Sequence, residues 1–191
     1  TKAALGVTAD TDRTTLINWA RGLDNKGDER PDAQGNPVTS NSMRPSVHGD
    51  VVHSRPVAIN YGTDAAPQVV VFYGGNDGVL RAVNGNRTDA IGSAAAGDEL
   101  WSFMPPEFYG SIKRLYDDTT RINFPGLPVT IGAVAPKPYG MDGPVSAYRQ
   151  GSTAWLYASM RRGGRLIYAF DVSSAASPTL KWRKGCPNQG D

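Results

Sequence analysis

An all-β architecture of short antiparallel strands, entered through a short helix and a long polar loop, is predicted by three features of this sequence. Its 22 Gly and 14 Pro among 191 residues are heavy punctuation for a helical bundle but suit strands joined by tight turns. From His53 onward, β-rich runs of four to seven residues alternate with Gly, Asn, Asp and Pro clusters, the spacing of short strands and hairpins. These runs fall into two groups of four.

The elements follow in order. Within residues 10–22, Leu16, Trp19 and Ala20 recur at helical spacing behind polar capping residues, and Gly22 supplies the stop. One short helix is expected there. Residues 23–46 are rich in Asp, Asn, Gly and Pro, too polar to bury a core element, so a long surface loop is expected. Strands are expected at residues 55–60, 68–73, 79–84 and 100–103. The middle pair is joined by Gly74-Gly75-Asn76-Asp77-Gly78, residue types that tolerate the positive φ angles of a tight hairpin.

After Met104-Pro105-Pro106, a short helix is expected around residues 107–115, and then the cadence resumes with strands at residues 129–135, 154–159, 166–171 and 179–183. The third strands align as Leu80-Arg81-Ala82-Val83-Asn84 against Ile167-Tyr168-Ala169-Phe170-Asp171, and each fourth strand carries a Trp, Trp101 or Trp182. Tandem four-stranded units are the mark of propeller blades. The expected organisation is therefore a helical lead-in and polar loop over residues 1–52, a first blade over 53–104, a helical linker over 105–128, a second blade over 129–184, and the start of a connection to further blades over 185–191. Val70, Phe72, Leu80, Trp101, Leu156 and Trp182 are expected to be buried. Two blades cannot close a ring, so each terminal sheet would leave an apolar face in need of a neighbour.

Composition narrows the function classes. Hydrophobic residues make up 39% and charged residues 20%, near globular averages, and no apolar run approaches the roughly 20 residues of a membrane span. A net charge of +2 provides no overall basic field for nucleic acid or an anionic membrane. The single cysteine, Cys186, excludes an internal disulfide framework and Cys-based metal motifs, while leaving pairing with an outside thiol open. The opening residues show no signal-peptide pattern, so an exported protein would carry this chain as an internal piece.

Five motifs occur in order: Leu16-Ile17-Asn18-Trp19-Ala20-Arg21-Gly22, the run from Arg44 to Pro56 containing His48-Gly49-Asp50-Val51-Val52-His53-Ser54-Arg55-Pro56, Gly75-Asn76-Asp77-Gly78-Val79-Leu80, Glu99-Leu100-Trp101-Ser102-Phe103-Met104-Pro105, and Met160-Arg161-Arg162-Gly163-Gly164-Arg165. Together they resemble the C-terminal propeller region of the PilC/PilY family, adhesins of the tip of bacterial type IV pili. The resemblance implies part of a modified quinoprotein-like β-propeller that supports pilus assembly, opposes retraction in twitching motility, and attaches to surfaces. It implies minor pilins and the pilus tip, and host or abiotic surfaces, as partners, at the cell surface, the outer membrane or the periplasm during assembly. The family commonly carries Met and His where Val79 and Arg81 stand here, so no role of that His is carried over. The family's calcium loop lies C-terminal to the matched region, so no calcium ligand is assigned and no cofactor is expected in this segment.

The remaining clusters admit structural and functional readings. His48, Asp50 and His53 have metal-binding side chains, but in an extended segment positions five apart face opposite ways, which favours His53 and Ser54 bonding backbone at the entry to the first blade. Asp24, Asp28, Asp32 and Asn36 offer oxygen ligands without an ordered calcium-loop spacing. Lys26-Gly27-Asp28 has the form of an integrin-type tripeptide on a loop. Asn76-Asp77-Gly78 reads as hairpin closure, and Trp101 and Trp182 as blade packing or an aromatic platform. Arg161, Arg162 and Arg165 read as a solvated hairpin tip or a contact for an acidic partner. There is no Gly-x-Ser-x-Gly elbow and no phosphate loop. A non-enzymatic adhesion and assembly protein is expected, with a quinone-dependent dehydrogenase propeller or a protein-binding scaffold propeller as alternatives.

Overall fold

The computed structural model describes residues 1–40, 42–123 and 134–185. In chain order its regular elements are α1 (Asp10–Ala20), β1 (Val57–Asn60), β2 (Val69–Gly74), β3 (Leu80–Asn84), β4 (Glu99–Phe103) and α2 (Tyr109–Asp117). Then come the two-residue strands β5 (Ile122–Asn123) and β6 (Ala135–Pro136), followed by β7 (Val145–Gln150), β8 (Thr153–Ser159), β9 (Leu166–Asp171) and β10 (Thr179–Gly185). They form two compact units, one from Thr1–Gly49 and Pro105–Lys137, the other from Asp50–Met104 and Pro138–Asp191.

In the first unit, Asp10 and Asp12 sit in the first turn of α1, where carboxylates offset the positive end of the helix dipole. Leu16 and Trp19 turn inward, and Leu5, Phe108 and Ile112 are also buried. Trp19 meets the Tyr116 ring edge-on at 5.6 Å. The Arg44 guanidinium lies 3.8 Å from the Trp19 ring centroid, and its Nε donates to the Trp19 carbonyl at 3.2 Å. The stretch expected as a surface loop therefore sends residues inside, among them two charged ones: Asp24 is 1% exposed and Arg44 8%. Hydrogen bonds hold it instead of apolar burial, with Asp24 N–H on the Ser42 carbonyl at 3.1 Å and Ser40 N–H on the Asp24 carbonyl at 2.8 Å.

The second unit holds two four-stranded antiparallel sheets, ordered β1-β2-β3-β4 and β10-β9-β8-β7. The first matches the expected strands within two residues at each end. In β2 and β3, Val70, Phe72, Leu80 and Ala82 are fully buried, because alternate residues of a strand share one face. In the second sheet Ala154, Leu156, Ala158, Leu166, Tyr168 and Phe170 do the same. Aromatic rings join the two faces: Phe103 meets Phe170 at 5.0 Å and Tyr168 at 5.3 Å, and Trp101 meets Phe170 at 6.3 Å.

Three expectations need correction. The strand expected at residues 129–135, as the first of the second unit, lies mostly outside the described residues; the first strand of the second sheet is β7, and Ala135 belongs to the small parallel pair of β5 and β6. Trp182 was expected in the core but is 36% exposed. It stands on the last strand of its sheet opposite Ala169, the position that faces away from Tyr168 and Phe170 and hence from the first sheet. Trp101 is only half-buried, although its indole N–H donates to the Ala175 carbonyl at 3.0 Å. Cys186 and residues 186–191 lie outside the described residues.

Candidate functional site

Strand direction gathers the hairpins and strand ends of the two-sheet unit at one end. Gly74 of β2 pairs with Leu80 of β3, which pairs with Phe103 of β4. Ser159 of β8 pairs with Ile167 of β9, and Leu166 with Gly185 of β10. The entries to β1 and β7, both central hairpins and the exits of β4 and β10 therefore share this end. The segment Tyr139-Gly140-Met141-Asp142-Gly143 runs between the hairpins.

Glycine makes that passage possible. A Cβ on Gly140 would stand 2.5 Å from the Gly78 nitrogen, and one on Gly163 would stand 1.8 Å from the Gly140 carbonyl oxygen. Three backbones thus touch where no side chain fits. Met141 N–H donates to the Gly75 carbonyl at 3.0 Å, and Gly140 N–H to the Asn76 carboxamide oxygen at 3.2 Å. The Gly75 N–H closes the first hairpin on the Val79 carbonyl at 2.9 Å, with Gly78 at φ +86°.

The carboxylates at this end are each matched locally. Asp142 is 1% exposed, and His53 Nδ1 approaches its two oxygens at 3.0 and 2.9 Å. His53 was expected to bond backbone; it bonds a side chain 89 positions away, which extended-strand geometry around residue 53 had no means to reveal. Ser54 does bond backbone, accepting the Gly74 N–H at 2.8 Å. Asp77 pairs with Arg81, itself 8% exposed in its side chain and 3.5 Å from Glu99. Asp50 accepts from the Asn76 amide at 3.1 Å.

Arg161, Arg162 and Arg165 are different. All three are exposed, and none forms an ion pair with a carboxylate among the described residues. Arg161 holds φ +48°, a left-handed conformation costing about 1 kcal/mol for a residue with a Cβ. The turn is stapled nonetheless: Gly163 N–H donates to the Met160 carbonyl at 2.8 Å, and Arg162 donates to the Tyr139 hydroxyl at 3.1 Å with its guanidinium 5.3 Å from that ring. The Tyr139 contact was missed from sequence, because nothing local links residues 139 and 162. The result is an exposed turn that carries three cationic side chains.

The other candidates lie in the first unit. Lys26 bonds Asp28 at 2.7 Å and the Tyr116 carbonyl at 2.7 Å. Gly27 is buried at φ +71°, with backbone atoms of Val38 and Thr39 within 2.7 Å of where a Cβ would stand, so the tripeptide is a packed turn. Asp32 closes its own turn on the N–H groups of Gln34 and Asn36, and Asn36 side-chain and backbone hydrogen bonds hold its carboxyl below the usual range. Asp32 and Asn36 thus share one turn, while Asp24 and Asp28 make contacts elsewhere in the loop. His48 sits against the Gly49 carbonyl at 2.7 Å. Among the described residues no group of three or more His, Cys, Asp or Glu gathers to hold a metal ion, and no helix is long and apolar enough to cross a membrane.

No family model matches the chain, and no solved structure matches it. Among curated proteins, it is 27% identical over 192 residues to the type IV pilus biogenesis factor PilY1 of Pseudomonas aeruginosa strain PAO1, covering 87% of this chain. It is 26% identical over 208 residues to the PilY1 of strain PAK, covering 95% of this chain. The chain spans only 14% and 16% of the length of these two relatives. The ordered motifs and the comparisons agree: by sequence, this chain is similar to a segment of the type IV pilus biogenesis factor PilY1.

Proposed function

We propose that this chain serves type IV pilus biogenesis as a non-enzymatic scaffold segment of an adhesin of the pilus tip, and that its two sheets are consecutive blades of a β-propeller. The similarity to PilY1 over most of the chain supports the pilus role. Two equal four-stranded antiparallel meanders, packed through Phe103, Trp101, Tyr168 and Phe170, support the blade reading. In such a ring β1 and β7 would be the inner strands and β4 and β10 the outer ones. The partners would be minor pilins and the surfaces to which pili attach, in the periplasm during assembly and at the cell surface afterwards. Opposition to pilus retraction would follow from holding the assembled tip. No cofactor or catalytic step is assigned.

Deletion of this segment from its parent protein tests the reading. Loss of surface pili, restored when the retraction motor is also removed, is the expected outcome. Normal piliation and attachment without the segment would overturn it. Alcohol oxidation dependent on added pyrroloquinoline quinone would replace it with the dehydrogenase alternative.

A further inference from the structure

The two outer strands of the sheets differ sharply. β4 carries Glu99, and its Trp101 is tied to the Ala175 carbonyl. β10 is longer, and all seven of its residues, Thr179–Gly185, are exposed. It pairs with β9 along one edge, and among the described residues no strand pairs along the other. Such an edge presents backbone donors and acceptors to any incoming chain.

Its charges are of one sign. Lys181, Arg183 and Lys184 all belong to β10. Lys181 stands 5.6 Å over the Trp155 ring and Lys184 5.8 Å over the Trp182 ring, so both ammonium groups are positioned beside the strand. Gly185 lies against the Arg165 carbonyl, which a Cβ there would approach to 1.8 Å; the cationic tip of Arg161, Arg162 and Arg165 therefore adjoins the same end of β10. The nearby acid, Asp171, sits opposite Thr179 at the other end. Its carboxyl is engaged by the Ser173 hydroxyl and N–H. Leu180 and Trp182, 47% and 36% exposed, add apolar area.

We propose that the free edge of β10 receives an extended acidic polypeptide segment as an added strand, with its carboxylates meeting Lys181, Arg183, Lys184 and the adjoining arginine tip. Backbone pairing would supply affinity and alternating side chains specificity, as in other strand additions. Charge decides the partner. A second copy of β10 would set Lys and Arg against Lys and Arg, a destabilising cross-strand arrangement, whereas an acidic strand would pair favourably at each position. The ladder is irregular between Leu180 and Trp182 and continuous from Trp182 to Gly185. Arg183 and Lys184 lie on opposite faces of that continuous stretch, so the fitting segment has two adjacent acidic residues flanked by β-branched ones. The inference concerns β10 itself and holds whether or not the sheets belong to a closed ring.

The test uses the whole chain and an eight-residue peptide of alternating Thr and Val with a central Glu-Asp pair. Expected results are saturable binding, slowed hydrogen exchange of the amides of residues 179–185, and affinity at least about tenfold weaker for the Lys181→Glu, Lys184→Glu double variant. Both substitutions are at exposed sites, and an unchanged melting temperature will show that the variant is folded. A control peptide with Gln-Asn in place of Glu-Asp should bind more weakly. Absence of binding, equal binding of the control, or binding without protection of the β10 amides would overturn the proposal. So would tighter binding of heparin with the same sensitivity to the double variant, which would assign the patch to an anionic polysaccharide.

Discussion

His53 Nδ1 lies 2.9 Å from a carboxylate oxygen of Asp142, and the Asp142 side chain is wholly shielded from solvent. The imidazole retains 28% side-chain exposure, so the pair has one wet member and one dry one. Their contact ties the entry of the first sheet to the entry of the second. A buried carboxylate without a donor costs more than the hydrogen bond itself contributes.

His53→Ala is therefore expected to destabilise the two-sheet unit by about 1–3 kcal/mol, because it leaves Asp142 buried with its donor gone. Asp142→Ala should cost less, since it removes the buried carboxyl group and leaves the partly exposed imidazole to water. Urea unfolding of both variants checks the order; equal losses would show that the Asp142 carboxylate has another sufficient partner.

Gly163→Ala should be strongly damaging, because its methyl would stand 1.8 Å from the Gly140 carbonyl oxygen. Overpacking against backbone costs about 1–3 kcal/mol or more. Gly92→Ala is the control: nothing lies within 4 Å of the added carbon, and only φ +60° opposes it, a penalty of roughly 1 kcal/mol. Thermal melts should rank the two in that order.

The two tryptophans separate in the same way. Trp101→Ala removes a ring that touches Phe72 and Phe170 and a hydrogen bond to the Ala175 carbonyl, for an expected loss of about 3–5 kcal/mol. Trp182→Ala removes a ring 36% exposed on an edge strand and should cost no more than about 1 kcal/mol. Comparable losses would mean that Trp182 is covered in solution.

Glu29 predicts an acid-sensitive contact in the first unit. Partial burial pushes its carboxyl up, but hydrogen bonds from the Ser46 N–H at 2.6 Å and Arg44 at 3.2 Å outweigh this and leave it below the usual value. A carboxyl lowered in the folded state contributes stability above its unfolded pKa and loses it as pH falls through the folded one. Glu29→Gln should therefore be less stable than the parent at pH 7, and the difference should shrink as pH falls below the ordinary glutamate range. Melting curves from pH 7 to pH 3 measure it, and a gap that stays constant with pH would contradict the assignment.

Local chemistry decided the strands of the first sheet, the last three of the second, both helices and the first hairpin. Alternation in Val70, Phe72, Leu80 and Ala82 selects one face whatever lies beyond it, and Asn76-Asp77-Gly78 closes a turn from its own backbone preferences; both are legible because their causes lie within a few residues. The arginine tip was visible as composition for the same reason. Tertiary structure alone placed Trp101 against Phe170 and Trp182 on the opposite face beside Tyr157, 36% exposed, although both are tryptophans on fourth strands. It alone brought Asp142 to His53, Tyr139 to Arg162 and Gly140 between Gly78 and Gly163. Those contacts join residues more than 20 positions apart, and their energy depends on where folded sheets carry the chain, a quantity that no local pattern of residue types encodes.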